Sequence, residues 1–389
     1  MSSISQVYEI SKREVKRLAA RPIYTFCMVI APVAAFLFFT TLMGEGLPTE
    51  LPAGVVDEDN TSVTREVIRN LDAFQQTNII EHYPDVATAR KAIQQGKIYS
   101  FYYIPKGTTR DAISGKQPTV SFYTTGSYLV AGSLAYRDMK TMSELAAAGI
   151  GRETLYAKGY TEDQAMAVLQ PIKMEMHAIN NPLINYSVYL SNILLPGVLM
   201  LLIMQVTIYA IYVELKEETS KEWLGLAGND IVKALIGKLL PHVVVWFIMG
   251  IFCFSILYEW WKFPLHSGIG PMLLALLMLI NAALGFGIFL CGMLPSLRWA
   301  LSLATLWGVL SFPISGFSFP QIAFPAPLKA LSWLFPLRHY YLIYVDQALN
   351  GRPMYYSWIN WAVMIAFLGL PIMVLGRLKK FLLEYHYTH

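Results

Sequence analysis

The chain contains six uncharged, apolar runs, and their spacing constrains its fold more than any other feature. The first run, residues 23–43, is long enough at about 1.5 Å per residue to cross a hydrocarbon core of about 30 Å. After a long polar stretch, five more runs follow at residues 187–213, 239–258, 268–297, 299–319 and 354–376. This one-plus-five arrangement predicts an α-helical integral membrane protein with six transmembrane helices and an inserted domain.

The composition indicates the same class of protein. Hydrophobic residues make up 55% of the chain and charged residues only 14%, against about 25% charged in soluble domains. The net charge of +4 does not indicate a nucleic-acid partner, because the basic residues cluster beside the apolar runs. Cys27, Cys253 and Cys291 all lie inside apolar runs, so the insertion can form neither a disulfide nor a thiolate metal site.

The lysines and arginines of the short loops set the expected orientation, because they accumulate on the cytoplasmic side. Thirteen fall on one side: Lys12, Arg13, Lys16, Arg17, Arg21, Lys216, Lys221, Lys233, Lys238, Arg298, Arg377, Lys379 and Lys380. Four fall on the other: Lys262, Lys329, Arg338 and Arg352. The difference predicts a multi-pass protein of the cell (inner) membrane with cytoplasmic N- and C-termini and an extracytoplasmic insertion. The first run exceeds the apolar core of a signal peptide, which favours an uncleaved anchor helix.

The parts outside the spans differ in pattern. Residues 1–22 are expected to form a cytoplasmic amphipathic helix at the membrane surface, with its basic side chains facing anionic lipid headgroups. Its apolar positions are Ile4, Val7, Tyr8, Val15 and Leu18. Residues 187–380 are expected to form a five-helix transmembrane domain, and residues 381–389 a cytoplasmic tail.

Residues 44–186 alternate between strand and helix patterns, which predicts an α/β domain. Strands are expected at 53–56, 77–82, 98–104 and 119–123. Helices are expected at 61–74 and after Asp85, then at 127–148 and 161–177.

The sequence contains no recognisable nucleotide-binding or catalytic motif. Gly115-Lys116 and Gly237-Lys238 are not followed by the Ser or Thr of a phosphate-binding loop, and no zinc-protease or nucleophile-elbow motif is present. We therefore expect no catalytic residues and no metal or cofactor on this chain. If ATP drives the protein, another polypeptide binds the ATP.

A charged loop, residues 214–227, follows the second span. Its alternating charges suit a solvent-facing helix, and Trp223 with Leu224 could be buried by a partner surface. One interpretation is a docking element; the other is a solvated hairpin between spans. The predicted docking residues are Glu214, Lys216, Glu217, Thr219, Lys221, Glu222 and Trp223.

Residues 319–351 are apolar and aromatic but broken by Pro320, Pro325, Pro327 and Pro336. The segment is too hydrophobic for an exposed loop and too interrupted for a seventh span. We expect short re-entrant helices here, with Arg338, His339 and Asp346 at the outer edge.

Four segments in this order carry a resemblance to a known family: VDEDN at 56–60, IPKG at 104–107, the 214–224 loop, and FPLRHY at 335–340. Over essentially its whole length the chain resembles a permease subunit of the type-2 ABC exporter family, in the drug-efflux-like branch with a large domain after the first span. In that family the inner loop is a coupling helix seated on the ATPase, and a Gly usually precedes its Thr. Here Glu218 takes that place, so a more helical turn is expected.

The resemblance implies a half-transporter that pairs with a second permease copy or paralogue and docks an ABC ATPase, which binds ATP and Mg²⁺. Membrane lipid and, where two membranes exist, a periplasmic adaptor protein are further implied partners. The cargo would be a small amphipathic or lipophilic compound leaving the cytoplasm or inner leaflet.

Two helical stripes could line the cargo path if they face the dimer axis. Their residues are Gln205, Tyr209 and Tyr212 in the second span and Ser302, Thr305 and Phe312 in the fifth. Ordinary helix packing is the competing explanation, since Ser, Thr and Gly are also enriched there.

Two alternatives to drug-type export remain open at this stage. One is a non-transporting membrane receptor or scaffold whose ectodomain does the work; the 214–224 loop should then tolerate disruption. The other is a subunit for lipid or polysaccharide export, although such relatives generally lack so large an insertion.

The charge asymmetry generates a test of orientation. Single cysteines placed in the 44–186 insertion should react with a membrane-impermeant thiol reagent in whole cells, whereas cysteines near the C-terminus should react only after lysis. The native cysteines lie in apolar runs and give the background signal. Labelling of the C-terminal site in intact cells would overturn the orientation.

Overall fold

The computed structural model describes residues 3–44, 46–173, 175, 177, 179–181 and 185–384. The chain divides into two compact units, one formed by Met1–Gly44 with Ala178–His389 and the other by Glu45–His177. The first is the membrane unit and the second is the insertion unit. The expectation of an α-helical protein is confirmed for the described residues, since helices account for most of them.

Six helices in the described part of the chain are long and apolar enough to cross a membrane, which confirms the predicted number by length and composition. They are Pro22–Leu42, Tyr186–Lys216, Ile231–Trp260, Ile269–Met293, Leu297–Ile314 and Met354–Met373. The first contains a π-helical segment, Phe26–Ile30, and the third ends in another, Ser255–Trp260. The sixth consists of Met354–Ser357, Trp358–Gly369 and Leu370–Met373.

Shorter helices flank and join the spans. They are Ser3–Ala20, Ser220–Leu226, Gln321–Ala323, Ala326–Ser332, Pro336–Tyr344, Val345–Leu349 and Leu375–Glu384. The last of these takes in residues 381–384 of the predicted tail, and residues 385–389 lie outside the described residues.

The second and fourth spans form the centre of the membrane unit, and small residues allow their close approach. A Cβ on Gly287 of the fourth span would lie 3.1 Å from the Thr207 Cβ of the second. A Cβ on Gly285 would lie 2.5 Å from the carbonyl oxygen of Phe367 in the sixth span. Hydrophobic burial does not drive helices together in lipid, so close packing of this kind must hold the spans in contact.

The segment between the fifth and sixth spans forms short helices that bury two of its polar residues. Arg338 and His339 were expected at an outer edge, and both are buried. The Arg338 guanidinium donates to Gln321 Oε1 at 2.9 Å, and the two ring nitrogens of His339 lie 3.0 Å from Asn360 Oδ1 and the Trp333 carbonyl oxygen. Both ring nitrogens of His339 thus have polar partners inside the protein, as burial requires. Arg338 is satisfied only in part: its Nε and Nη1 atoms are buried without a hydrogen-bond partner among the described residues, and its guanidinium lies 4.8 Å from the Trp333 ring centroid. Re-entry of this segment into lipid stays a prediction.

The insertion unit contains a four-stranded mixed sheet in the order β2-β1-β3-β4. The strands are β1 Leu51–Asp57, β2 Thr77–His82, β3 Ser100–Ile104 and β4 Ser121–Thr124. β1 pairs in parallel with β2 and β3, while β4 runs antiparallel to β3. The predicted α/β pattern is therefore present, and its extracytoplasmic position stays a prediction.

The helices of this unit are Ser62–Asp72, Val86–Gln94, Thr108–Ile113, Leu129–Ala157 and Glu162–Leu169. The long helix runs further than expected, and the helix expected at 161–177 ends at Leu169. Four consecutive residues of β1 are buried, as in a parallel strand covered on both faces.

Candidate functional site

The loop after the second span is a tight helical hairpin rather than a free loop. The span helix continues to Lys216, so Glu214 and Lys216 belong to its last turn, and a separate helix, Ser220–Leu226, follows. We call residues 214–227 the coupling hairpin, after the role that the family resemblance implies for this loop. Asp230 caps the third span, since its carboxylate accepts hydrogen bonds from the backbone N–H groups of Val232 and Lys233.

The turn of the coupling hairpin is left-handed at Glu218, with φ of +58°. The Thr219 N–H donates to the Glu214 carbonyl at 2.9 Å and the Glu218 N–H to the Leu215 carbonyl at 3.1 Å, which is a Schellman motif. The expected more helical turn is therefore wrong, because these two bonds require the left-handed residue. A glutamate in this conformation costs about 1–2 kcal/mol relative to the right-handed form.

Trp223 was predicted to be an apolar anchor for a partner, and the structure contradicts that role. Its side chain is 0% exposed within this chain alone. The indole Nε1 donates to the Ala234 carbonyl at 3.2 Å, and the Lys238 ammonium lies 5.2 Å from the ring centroid. Trp223 therefore holds the hairpin helix against the third span.

The residues of the coupling hairpin that remain accessible are mostly charged. Lys216, Glu218, Lys221 and Glu222 are exposed, and Leu226 is an exposed apolar side chain among them. Thr219 is half-buried and its hydroxyl donates to Glu214. This charged surface is available to a partner. Trp223 and Glu214 are not, because both side chains are 0% exposed, so their prediction as docking residues is wrong.

Behind the hairpin lies a buried charge network that sequence analysis did not identify. The Lys238 ammonium donates to Glu14 Oε2 at 2.7 Å and to Glu214 Oε1 at 2.6 Å. The Lys238 and Glu214 side chains are 0% exposed, and that of Glu14 is 1% exposed. His242 Nε2 lies 3.0 Å from the other Glu14 oxygen. Three segments distant in sequence thus meet at one ammonium group.

Arginines of the N-terminal helix complete the network. Arg13 donates to both Glu214 oxygens, at 2.8 and 3.0 Å, in the bidentate geometry that suits a guanidinium. Arg17 bonds Glu214 and, at 3.0 Å, Glu217, while Arg21 also bonds Glu217. The expectation that these arginines face lipid headgroups is therefore wrong, because they form ion pairs with acidic side chains of the hairpin instead.

The charges of the network are matched to its burial. Desolvation raises the pKa of the Glu14 carboxyl, but the hydrogen bond with His242 and the charge of Lys238 outweigh it and hold that pKa below its usual value. The hydrogen bond to Glu214 raises the pKa of Arg13 despite burial. Glu14 and Arg13 are thus both held in their charged forms. A buried ion needs a partner of opposite charge to offset its desolvation.

The N-terminal helix docks on the third span at Gly237. A Cβ on Gly237 would lie 2.8 Å from the Ile10 Cβ, and the Ser11 hydroxyl donates to the Gly237 carbonyl at 2.8 Å. The buried face of this helix is therefore Ile10 and Glu14. Ile4, Tyr8 and Val15, expected to share one apolar face, are exposed.

Two features of the sequence could have identified the buried charge network. His242 is the one ionisable residue in its predicted span, and Glu14 is an acidic residue in a basic helix.

The proposed cargo-path residues separate into two groups. Gln205 of the second span and Thr305 of the fifth are in contact, and Gln205 Nε2 donates to Thr305 Oγ1 at 3.0 Å. Ser302, which precedes Thr305 in the same helix, is exposed. Tyr209 packs edge-on against Tyr24, with ring centroids 5.7 Å apart. These four stay candidates.

Tyr212 and Phe312 both pack against neighbouring helices, but only Tyr212 is buried. Tyr212 is buried, its hydroxyl donates to the Leu294 carbonyl, and its ring packs against Phe381. Phe312 covers Gly197, where a Cβ would approach its ring to 2.3 Å. The burial of Tyr212 excludes it from an accessible path, so its assignment there is wrong. Phe312 is half-buried, and its assignment to a cargo path stays a prediction. Among the described residues, no group of three or more His, Cys, Asp or Glu side chains could hold a metal ion.

A family model described as ABC-2 family transporter protein matches residues 22–375. The match includes all six spans, the insertion and the coupling hairpin, whereas Glu14 and Arg13 precede it. No curated protein matches the chain significantly.

Removal of the central charge should destabilise the membrane unit. Lys238→Met leaves the Glu14 and Glu214 carboxylates buried with one partner fewer, which should cost about 3–5 kcal/mol in the free energy of unfolding. Lys233→Met on the same helix removes a half-exposed pair with Asp230 at 3.6 Å and should cost less than about 1 kcal/mol. Thermal unfolding of the purified variants in detergent measures both.

A double variant sharpens the test. Adding Glu14→Gln to Lys238→Met removes one of the stranded charges, so part of the lost stability should return. Equal unfolding of Lys238→Met and Lys233→Met would show that the network does not stabilise the fold.

Proposed function

The chain belongs to the ABC-2 family of transporter proteins, and from that premise we infer that it is the permease subunit of an ATP-driven exporter. Its six apolar helices and its family make it a multi-pass, non-catalytic membrane subunit. We propose that a separate ABC ATPase binds ATP and Mg²⁺, and that two permease copies, or this chain and a paralogue, form the transporter.

The coupling hairpin is the observation that carries the proposal. It presents Lys216, Lys221 and Glu222 outward, while Trp223 and Leu224 are buried against the protein. The hairpin therefore has a charged outer face that a partner could contact and an inner face packed against the protein. Such an arrangement suits an element that transmits a movement of the partner to the spans. Charged rim residues of this kind set partner choice and orientation.

Motion of the hairpin would reach three elements together. Glu214 lies at the end of the second span, Lys238 near the start of the third, and Glu14 in the N-terminal helix, and all three share direct ion pairs. We propose that closure of two ATPases moves this braced assembly as one body and changes access at the interface between the two sets of spans.

The fifth span supplies the face that we assign to that interface. Ser302, Thr305, Leu306 and Val309 fall at helical spacing on one face and are exposed in the single chain. The face combines hydroxyl and aliphatic groups, which suits small amphipathic or lipophilic cargo. The cytoplasmic termini, the extracytoplasmic insertion and a periplasmic adaptor belong to the same proposal.

Reversing the hairpin charges should weaken ATPase docking. Lys221→Glu with Glu222→Lys replaces attraction by repulsion across the interface, so ATPase affinity should fall at least about tenfold. Co-purification of the ATPase and its permease-stimulated ATP hydrolysis measure the loss.

The chain offers a matched control. Glu259→Lys with Lys262→Glu makes the same swap in an exposed pair, 3.5 Å apart, at the end of the third span, and should leave ATPase recovery unchanged. Full recovery and activity in the hairpin variant would contradict docking there and favour the receptor or scaffold alternative.

Cargo contact at the Gln205–Thr305 pair is separately testable. Gln205→Leu and Thr305→Val remove the hydrogen-bonding groups at similar volume, so they should alter which compounds are exported while basal ATP hydrolysis persists. Tyr212→Phe, in the same helix as Gln205, removes a hydroxyl that donates a hydrogen bond in helix packing. It should lower the stability of the protein in detergent and leave the export profile unchanged. If the Gln205 and Thr305 variants behave like Tyr212→Phe, the pair is a packing contact.

A further inference from the structure

The N-terminal helix carries two sets of basic residues with different surroundings. Arg13, Arg17 and Arg21 lie on the side that pairs with Glu214 and Glu217. Lys12 and Lys16 are exposed, and neither forms an ion pair or hydrogen bond with any residue that the structure describes. The arginines are therefore neutralised inside the protein, whereas the two lysines keep their full positive charge outward.

The lysines share their helical face with an apolar crevice. Lys12, Val15, Lys16 and Ala19 follow the i, i+3, i+4, i+7 spacing that places side chains on one face. Val15 and Ala19 form one wall of a crevice of about 510 Å³ between this helix, the first span and the third span. The other walls include Met28, Val29, Val244 and Val245. Its volume lies within the range of small-molecule sites, about 300–1,000 Å³.

Water is a poor occupant of this crevice. A bound water needs two to four polar partners, and the lining is aliphatic apart from Tyr24, Thr25 and the Met28 sulfur. Two walls belong to helices apolar enough to cross a membrane. An apolar chain with access from the bilayer meets no desolvation cost there, and an anionic group at its end would meet Lys12 and Lys16.

We propose that this crevice binds one acyl chain of an anionic phospholipid, with the phosphate of its headgroup held by Lys12 and Lys16. The bound lipid joins the N-terminal helix to the first and third spans from outside. The same helix reaches Glu214 from inside through Arg13 and Arg17. Lipid at this site therefore stabilises the support of the coupling hairpin. The proposal does not depend on export and concerns the permease alone.

Thermal unfolding of the lipid-depleted, purified permease tests the site. Phosphatidylglycerol should raise the unfolding midpoint of the native protein, and phosphatidylcholine of the same chain length should raise it much less. Lys12→Gln with Lys16→Gln removes two charges near the membrane surface, so the apparent affinity for phosphatidylglycerol should fall about thirtyfold at low ionic strength.

Three controls separate the sources of the effect. Lys97→Gln with Lys106→Gln removes the same charge from exposed positions of the insertion unit and should leave the lipid response intact. Ala19→Trp fills the crevice and should abolish the response even with both lysines present. Glycerol 3-phosphate, which has the headgroup chemistry without a chain, should not stabilise the protein.

Three results would overturn the assignment. They are an equal response to phosphatidylcholine, an unchanged phosphatidylglycerol affinity in the double lysine variant, or stabilisation by glycerol 3-phosphate as strong as by the lipid. If Ala19→Trp fails to fold, the lysine variants and the two lipids still decide the question. Loss of the lipid response with ATPase docking retained would separate this site from the proposed function.

Discussion

The Lys238 ammonium lies between the Glu14 and Glu214 carboxylates in a region closed to solvent, and the arrangement of the membrane unit around it follows from that contact. Each buried ion costs several kcal/mol in desolvation, which only close partners of opposite charge can offset. The N-terminal helix, the end of the second span and the start of the third must therefore meet at one point. Arg13 and Arg17 neutralise the carboxylate that Lys238 shares with the hairpin.

The coupling hairpin depends on the same contact. Glu214 contributes its carboxylate to the network and its backbone carbonyl to the turn at Glu218, while Trp223 packs over Lys238. The hairpin, two spans and the N-terminal helix are thus connected through buried ion pairs and through the backbone hydrogen bonds of the turn. Such an element suits the proposed function, in which a separate ATPase moves the hairpin and the hairpin moves the spans.

The N-terminal helix divides its charges by chemistry. Guanidinium groups form several bonds with fixed geometry and are weakly hydrated, which suits the buried carboxylates. The ammonium groups of Lys12 and Lys16 are strongly hydrated point charges and remain at the surface beside an apolar crevice. One short helix therefore binds the protein on one side and presents on the other the surface that we propose binds lipid.

The sequence by itself determined the number of spans, the α/β pattern of the insertion and the family, because these depend on length, apolar periodicity and local turn residues. It predicted a docking element at residues 214–227, which stays a prediction, and it misjudged Trp223, since a tryptophan beside charges looks the same whether a partner or its own chain buries it. Only the tertiary structure joined Glu14, Glu214 and Lys238. Lys238 is 24 positions from Glu214 and 224 from Glu14, so these ion pairs leave no local pattern, and their burial depends on how the helices pack.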